Sequence, residues 1–396
     1  MWTMPHRQHV VPSTIASVSV VALVASSFLP RVGGVEEHVH RLAPQLQALG
    51  HSVVIWTVDR GDLPVTLPGV TVRHLPTPLP AANARSTARF AWEGPRALAA
   101  WLRAARADRP DVLHVQCFGP NGTWATVTSR LLGIPLVVGA HGETFMDADR
   151  VFDTSVVQRR ALRSALRHAA AVTACSQFAA NDLARFGQDP ARVDVVLNGV
   201  DADEPAGPEP DWLPARYVLG TGRLVPVKGF DLLVRAFAAA DLGDDLRLVV
   251  AGAGPERDAL LALAAELGVA DRVVFPGLLP RDQVVTVMRR SEALVVPSRV
   301  EAFGIVVLEG MRAGVPVVAT SRGGAGEIVT DGVDGLLVDP EDPRALTAAL
   351  VRVVDDPSVR ERLAAVGPET AAGFTWERVA RLDDAVYRRL PARPRR

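Results

Sequence analysis

Short apolar runs rich in valine, leucine and alanine alternate with stretches of helical period along almost the whole chain, and this alternation narrows the fold more than any other feature. A strand buried on both faces reads as a continuous apolar run, and a helical segment between two such runs lays them parallel through right-handed crossovers. The pattern predicts strands near 17–26, 52–58, 70–75, 112–115, 136–140, 171–174 and 193–197, and the second half repeats the scheme. The expected fold is α/β, with two doubly wound parallel sheets. Between the halves runs DADEPAGPEPDWLPAR, acidic and proline-rich, which should bury little and serve as a hinge. The expected division is a first domain at 1–200 with 1–13 a loose extension, a linker at 201–215, a second domain at 216–372, and a closing amphipathic helix within 373–396 that carries Trp376 and Tyr387.

Two domains of ordinary size fit 396 residues. With 48% hydrophobic and 22% charged residues the composition is that of a globular protein, and a formal charge of −1 supplies no general attraction to nucleic acid. Cys117 and Cys175 each end a candidate buried strand, where small core residues in a reducing compartment are expected. The apolar run TIASVSVVALVASSF at 14–28 follows His6 and Arg7 and could pass for a secretory signal, but it is short for a bilayer span. Taken as a strand, it feeds directly into Gly33, Gly34 and a helix at 35–49, which would lose their sheet partner on cleavage. The strand is the expectation.

The richest segment is EAFGIVVLE, which sets Glu301 on a loop and Glu309 on the helix that follows a buried strand at 293–297. A loop entering a helix points free N–H groups and the positive end of the dipole at whatever lies there, and phosphate is the usual guest. Upstream, in YVLGTGRLVPVKGFDLL, a strand runs into a glycine-rich turn bearing Arg223 and Lys228 before a helix that starts near Phe230. Two permanent cations at the carboxyl end of a strand are what a diphosphate needs when no metal neutralises it. In VVAGAGPE, Gly252 and Gly254 serve strand–helix packing or binding with equal plausibility.

Together GRLVPVKGFDLL, VVAGAGPE, FPGLLP and PSRVEAFGIVVLEGMRAGVPVVAT resemble the C-terminal half of the retaining glycosyltransferases of family 4. SSFLPRVGGVEEHVHRLAPQLQALGHSVVIWT, AHGE at 140–143 and LNGVD at 197–201 are similar to that family's opening strand and loop, histidine turn and crossover. The resemblance implies the GT-B fold, two Rossmann-like domains facing a central cleft, with nucleotide bound by the second and acceptor by the first. It implies donor contacts at Gly33, Gly34, Arg223, Lys228, Gly277, Leu278, Glu301, Phe303, Gly304, Ile305 and Glu309. Within that set Glu309 matches the ribose carboxylate, Glu301 the carboxylate at the donor sugar, and Arg223 and Lys228 the diphosphate clamp. His141 matches the histidine at the sugar, so His141, Arg223, Lys228 and Glu301 are the expected catalytic set. The final helix is expected to cross back to the first domain.

The implied activity is transfer of a sugar from a nucleotide diphosphate sugar to a hydroxyl acceptor, with retention and without cofactor or metal, in the cytoplasm. Other readings stay open: a nucleotide-sugar epimerase of the same architecture, or a noncatalytic two-lobed binder, which donor turnover would exclude. Each site residue also has a plain alternative, a solvated loop or helix carboxylate for Glu301 and Glu309, a strand-end histidine for His141, turn solvation for Arg223 and Lys228. Asp147–Asp149 and Asp201–Asp203 fit a metal-binding Asp-x-Asp pattern but stand outside the strand setting it needs, and Asp pairs in loops are usually solvated turns. A glycosidase pair would leave the cationic loop without purpose. Two basic stretches, one with Arg85, Arg89, Arg96, Arg103 and Arg106 among Phe90, Trp92 and Trp101, the other with Arg159, Arg160, Arg163 and Arg167, suit either solvated helix faces or peripheral contact with an anionic membrane or lipid-linked acceptor.

Overall fold

The computed structural model describes residues 19–31, 33–61, 65, 67–80, 84–147, 150–201 and 203–391, with backbone alone for 84–89. The first sheet comprises β1 (Val20–Ala25), β2 (Ser52–Val58), β3 (Thr71–Leu75), β4 (Val112–Gln116), β5 (Leu136–Ala140), β6 (Ala171–Ala174) and β7 (Asp194–Val195). Its helices are α1 (Gly34–Ala48), α2 (Ala84–Asp108), α3 (Pro120–Leu132), α4 (Val151–Thr154), α5 (Val156–His168) and α6 (Gln177–Asp182). The second sheet comprises β8 (Tyr217–Thr221), β9 (Arg247–Ala251), β10 (Val273–Gly277), β11 (Ala293–Val296), β12 (Val317–Thr320) and β13 (Leu336–Val338). With it go α7 (Phe230–Ala239), α8 (Arg257–Glu266), α9 (Arg281–Arg290), α10 (Ile305–Arg312), α11 (Pro343–Asp355) and α12 (Pro357–Ala371), and the chain ends on α13 (Trp376–Arg388).

The strand orders are β3-β2-β1-β4-β5-β6-β7 and β10-β9-β8-β11-β12-β13, and the pairings are parallel. Both sheets are thus Rossmann-like and doubly wound, and each reverses its order once, between β1 and β4 and between β8 and β11. Open sheets bind ligands beyond the carboxyl ends of the strands at that reversal. The apolar run that could have been a leader folds as β1, hydrogen-bonded on both edges to β2 and β4, with Val21 to Ala25 wholly buried. Each such valine or leucine contributes about 1.5–3 kcal/mol of burial, so β1 is the keel of its domain. The portion of the expected strand before residue 19 and the loose extension lie outside the described residues.

Helix starts differ with location. α11, α12 and α13 are capped by the side chains of Asp342, Asp356 and Thr375. By contrast α1, α7 and α10, the helices that follow β1, β8 and β11, start from Gly33, Gly229 and Gly304 with no side-chain cap. Their first N–H groups therefore face the carboxyl ends of the sheets without an internal acceptor from the cap residue.

The chain passes between domains twice at one place. Val200 N donates to Phe374 O at 2.9 Å, and Val200 is bridged to Thr375. A Cβ on Gly199 would lie 2.6 Å from Trp376 N, so glycine is what lets the two passes touch. Beyond the crossing, α13 packs on α1, with Trp376 and Tyr387 in a cluster shared with Val39, Leu42 and Leu46. Most of the linker is exposed or half-buried, as expected, and Glu204 is the exception. Glu204 is buried, held by Arg41, Arg281 and Arg312, and Gly207 N and O bond Asp282 O and Thr286 Oγ1. A carboxylate that collects three guanidiniums can be withdrawn from water, and acidic composition gave no sign of those partners.

Candidate functional site

The turn after β8 carries Arg223, exposed and without an ion pair among the described residues, and a single 3-10 turn, Pro226–Lys228, that presents Lys228. Lys228 Nζ lies 2.6 Å from Glu301 Oε2, and Ser298 Oγ donates to the same oxygen at 3.0 Å. The structure therefore brings the cationic loop and the EAFG loop to one point, with Glu301 buried beneath them. The pairing alters the expected division of labour: Lys228 is not a free cation but shares its charge with Glu301, because a buried carboxylate needs a partner.

The backbone of that loop is fixed from below. Glu301 N donates to Arg322 O at 3.0 Å, and Gly324 N to Glu301 O at 2.8 Å. Phe303 sends its ring into the core, so only its amide is available to a ligand; Gly304, in the left-handed region, turns the chain into α10 at Ile305. Glu309 sits one turn further on, buried, 2.6 Å from Arg281 Nη2. Gly252 and Gly254 serve packing, since Cβ atoms there would lie 1.8 Å from Gly222 O and 2.3 Å from Leu224 O. Gly277 ends β10 with open space beside it, and Leu278 is exposed.

In the first domain, Gln116 ends β4 and His141 follows β5. The Glu143 carboxylate accepts from Phe118 N at 2.8 Å and from His141 N at 2.7 Å, which sets the histidine turn. Burial pushes its carboxyl upward, and those backbone bonds offset part of the push. Gly142 meets the opposite domain, since a Cβ there would lie 2.4 Å from Ala302 Cβ. His141 Nε2 is 2.6 Å from Gln116 Oε1, and its ring packs edge-on against His38 at 4.6 Å; His38 Nδ1 lies 2.8 Å from Asn198 Oδ1. Burial lowers both these histidines and the neighbouring His114 of β4, His141 well below its ordinary range, His38 to about 4 and His114 to about 3, so the rings are neutral near pH 7. Gly33 and Gly34 open α1; a Cβ on Gly34 would meet nothing, whereas one on Gly33 would lie 2.5 Å from Glu36 Oε2, so the Glu36 carboxylate stands at this helix start.

The domains also meet through α6. Ser176 Oγ donates to Ala302 O at 2.5 Å, and the amides of Gln177 and Phe178 donate to the Glu327 carboxylate at 2.7 and 2.8 Å. Of the carboxylates among the described residues, Glu37, Asp201 and Glu204 lie close enough to share an ion. Arg41 spans all three, at 2.6, 2.6 and 2.8 Å, so a guanidinium already balances them. Asp147 accepts from Val151 N, as a turn residue does, while Ala148, Asp149 and Ala202 lie outside the described residues. Sequence reasoning missed Arg281, Glu204, Gln116, His38, Ser176 and Glu327, whose partners are all distant along the chain. His38 and Glu204 stood inside quoted runs and Arg281 directly followed FPGLLP, but nothing local marked their partners.

The apolar faces of the two basic stretches are turned mostly into the core. Trp101 is buried and Phe90 half-buried against the core, while Trp92 is exposed beneath the Arg96 guanidinium at 4.0 Å. The side chains of Arg85 and Arg89 lie outside the described set. On α5, Arg159 donates to Phe152 O and Asp153 O, and Arg163 to Arg185 O.

Two family models match the chain, Glycosyltransferase Family 4 over residues 32–204 and Glycosyl transferases group 1 over residues 213–370. A D-inositol 3-phosphate glycosyltransferase of Frankia alni is 35% identical, covering 88% of this chain and 92% of the relative. An alpha-D-kanosaminyltransferase of Streptomyces kanamyceticus is 31% identical over 70% of this chain and 77% of its own length. Among solved structures, sucrose-phosphate synthase from Thermosynechococcus elongatus superposes with a TM-score of 0.77 at 23% identity, covering 93% of this chain and 98% of that one. HepE from Anabaena in complex with UDP-glucose gives 0.75 at 21% identity over 93% and 99%. Two Rossmann-like sheets, loops converging from both domains and these likenesses lead to one assignment: the chain belongs to glycosyltransferase family 4, with the GT-B fold.

Proposed function

We propose that this glycosyltransferase moves a hexose-type sugar from a nucleoside diphosphate donor to a hydroxyl acceptor with retention of anomeric configuration and without a metal. The observation that carries the reading is the junction of the two loops, where Lys228 and Glu301 meet beside exposed Arg223 and the uncapped start of α10. Breaking the anomeric bond builds negative charge on the departing diphosphate and leaves a cationic sugar, so fixed positive groups lower the barrier. Arg223, Lys228 and the amides of Phe303, Gly304 and Ile305 supply that charge, and Glu301 accepts the sugar's hydroxyls. Glu309 takes the ribose, with Gly277 and Leu278 at the base.

Across the cleft, Gly33 and Gly34 approach the phosphates. His141, neutral, serves the sugar as a hydrogen-bonding group and through its peptide carbonyl, not as a charge. Attack from the leaving group's own face, with a phosphate oxygen taking the acceptor's proton, gives retention. The HepE complexes hold UDP and UDP-glucose, and the relatives' names include an inositol phosphate and a kanosaminyl group, which supports a nucleotide-sugar donor and a small hydroxyl-bearing acceptor. Glycolipid, polysaccharide or glycoside synthesis in the cytoplasm, where nucleotide sugars are made, is the setting of this reading. No described helix is long and apolar enough to cross a membrane.

The deciding experiment incubates the purified protein with uridine, guanosine and adenosine diphosphate sugars, with and without a chelator, and follows nucleotide and modified acceptor by mass spectrometry. Acceptor-dependent nucleotide release that survives chelation is expected. Conversion of the donor without acceptor would favour an epimerase, and loss of activity on chelation would remove the metal-free clamp.

A further inference from the structure

Glu309 is buried, and a buried carboxylate is a good acceptor only if something balances its charge and orients it. The group that does so is Arg281, at the first position of α9, whose Nη2 lies 2.6 Å from Glu309 Oε1. Arg281 is itself pinned. Its Nε and Nη2 make parallel bonds of 2.9 and 2.7 Å to the two oxygens of Glu204 in the linker. Glu204 in turn takes Arg41 of α1 at 2.8 Å and Arg312 of α10 at 3.0 Å, and its carbonyl accepts from Arg289 Nη2 at 3.1 Å. A planar fork gripped along one edge meets Glu309 in a fixed plane, which a flexible ammonium would not do. Arg281 takes Oε1 and leaves Oε2 for a ligand. Both side chains line a narrow cleft with Ile305, Val200 and Trp376, where the linker, α10 and α13 meet.

We propose that Arg281 is a positioning residue for recognition of the donor's ribose: clamped by Glu204, it orients the Glu309 carboxylate toward the ribose hydroxyls and ties that recognition to the interdomain linker. The inference rests on the reading of Glu309 as the ribose acceptor. It goes further in making the discrimination between ribose and its deoxy form depend on a residue with no contact to the phosphates.

The test is isothermal titration calorimetry on the full chain with UDP, GDP and ADP, followed by the 2′,3′-dideoxy counterpart of whichever binds most tightly. Wild type should bind the ribonucleotide about tenfold or more tightly than the dideoxy form, the loss expected for charge-assisted hydrogen bonds. Arg281→Met should weaken the ribonucleotide and leave the dideoxy form nearly unchanged, so that the ratio collapses toward one. Arg281→Lys, which keeps the charge and loses the fork, should give an intermediate ratio and stands in for the methionine variant if that fails to fold. A purely structural role would weaken both ligands together and leave the ratio intact, which overturns the proposal, as would tighter ribonucleotide binding by Arg281→Met. Glu309→Gln separates the two levels. If it collapses the ratio and Arg281→Met does not, Glu309 keeps its role and the inference about Arg281 is wrong; if it leaves the ratio intact, the ribose reading of Glu309 falls.

Discussion

Arg223 and Lys228, adjacent in function on the reading above, differ in what else depends on them. Arg223 is exposed with no ion pair among the described residues, so truncating it removes charge from the ligand's surroundings and little from the fold. Lys228 also neutralises Glu301, which is buried. Arg223→Ala should therefore lower kcat/KM by on the order of 10²–10³, about 3 kcal/mol of transition-state stabilisation, with an unchanged melting temperature. Lys228→Ala should cost as much in rate and also melt earlier, because one buried charge loses its partner. Wild-type rates in both would remove the clamp. These residues were legible because a loop between a strand end and a helix start is contiguous in sequence, and its chemistry needs few residues. Gln116 and Arg281 were not, since a glutamine at a strand end and an arginine at a helix start become informative only when folding sets them against His141 and Glu309.

Periodicity made strands and helices legible as elements, but what each element packs against was hidden. The aromatics of α2 show this: Trp101 and Phe90 read as one face of a basic amphipathic helix, yet they belong to the core. With the arginines of α5 partly engaged by carbonyls, both stretches fit solvated faces, and sedimentation with anionic liposomes should leave the protein in the supernatant at low and high salt. Salt-sensitive pelleting would instead establish membrane contact. The crossing at Gly199 is stricter. Gly199→Ala would press a methyl group into Thr375 and Trp376 backbone, costing about 1–3 kcal/mol and lowering the melting temperature. Helix α13 also carries Asp383, whose Oδ2 is buried without a hydrogen-bond partner among the described residues. Burial, and then Asp194, raise its carboxyl to about 8. A raised carboxyl means that the native state holds a proton the unfolded chain has lost, so this group's stability contribution is present below about pH 4 and lost as pH rises to about 8. The lowered His38 and His114 act oppositely, favouring the fold above about pH 6.5 and losing that contribution as pH falls toward 4 and below. Thermal stability should peak near pH 6.5, and Asp383→Asn should remove much of the decline between pH 6.5 and 8. An unaltered alkaline limb in that variant would show that Asp383 is not its source.

For the whole molecule, the quantity that matters is how firmly the two domains hold together, because on the proposed reading most donor contacts lie on one and His141 on the other. Besides the histidine turn, where Gly142 and Met146 lie against Ala302, they meet at three kinds of contact: the crossing of Val200 with Phe374, the arginines around Glu204, and the α6 contact with the EAFG loop and Glu327. The first two lie at the hinge and can persist while the cleft opens. The third cannot, because Ser176, Gln177 and Phe178 belong to the first domain and Ala302 and Glu327 to the second. Glu327 caps the start of α6 from outside its own domain, taking two amide protons on two oxygens. Water replaces such a cap when the cleft opens, so the net preference for closure is modest, about 1–2 kcal/mol. A preference of that size shifts a closed-to-open ratio roughly five- to thirtyfold, enough to be seen in the average shape. Glu327→Gln keeps size and packing but turns one accepting oxygen into a donating amide that opposes an N–H. By small-angle scattering without ligand, that variant should show a larger radius of gyration than wild type, and saturating nucleotide sugar should return it toward the wild-type value. Its donor KM should rise while the melting temperature of each domain stays as it was. An identical scattering profile for variant and wild type would mean that the other interdomain contacts set the domain arrangement and that the capping of α6 follows closure without contributing to it.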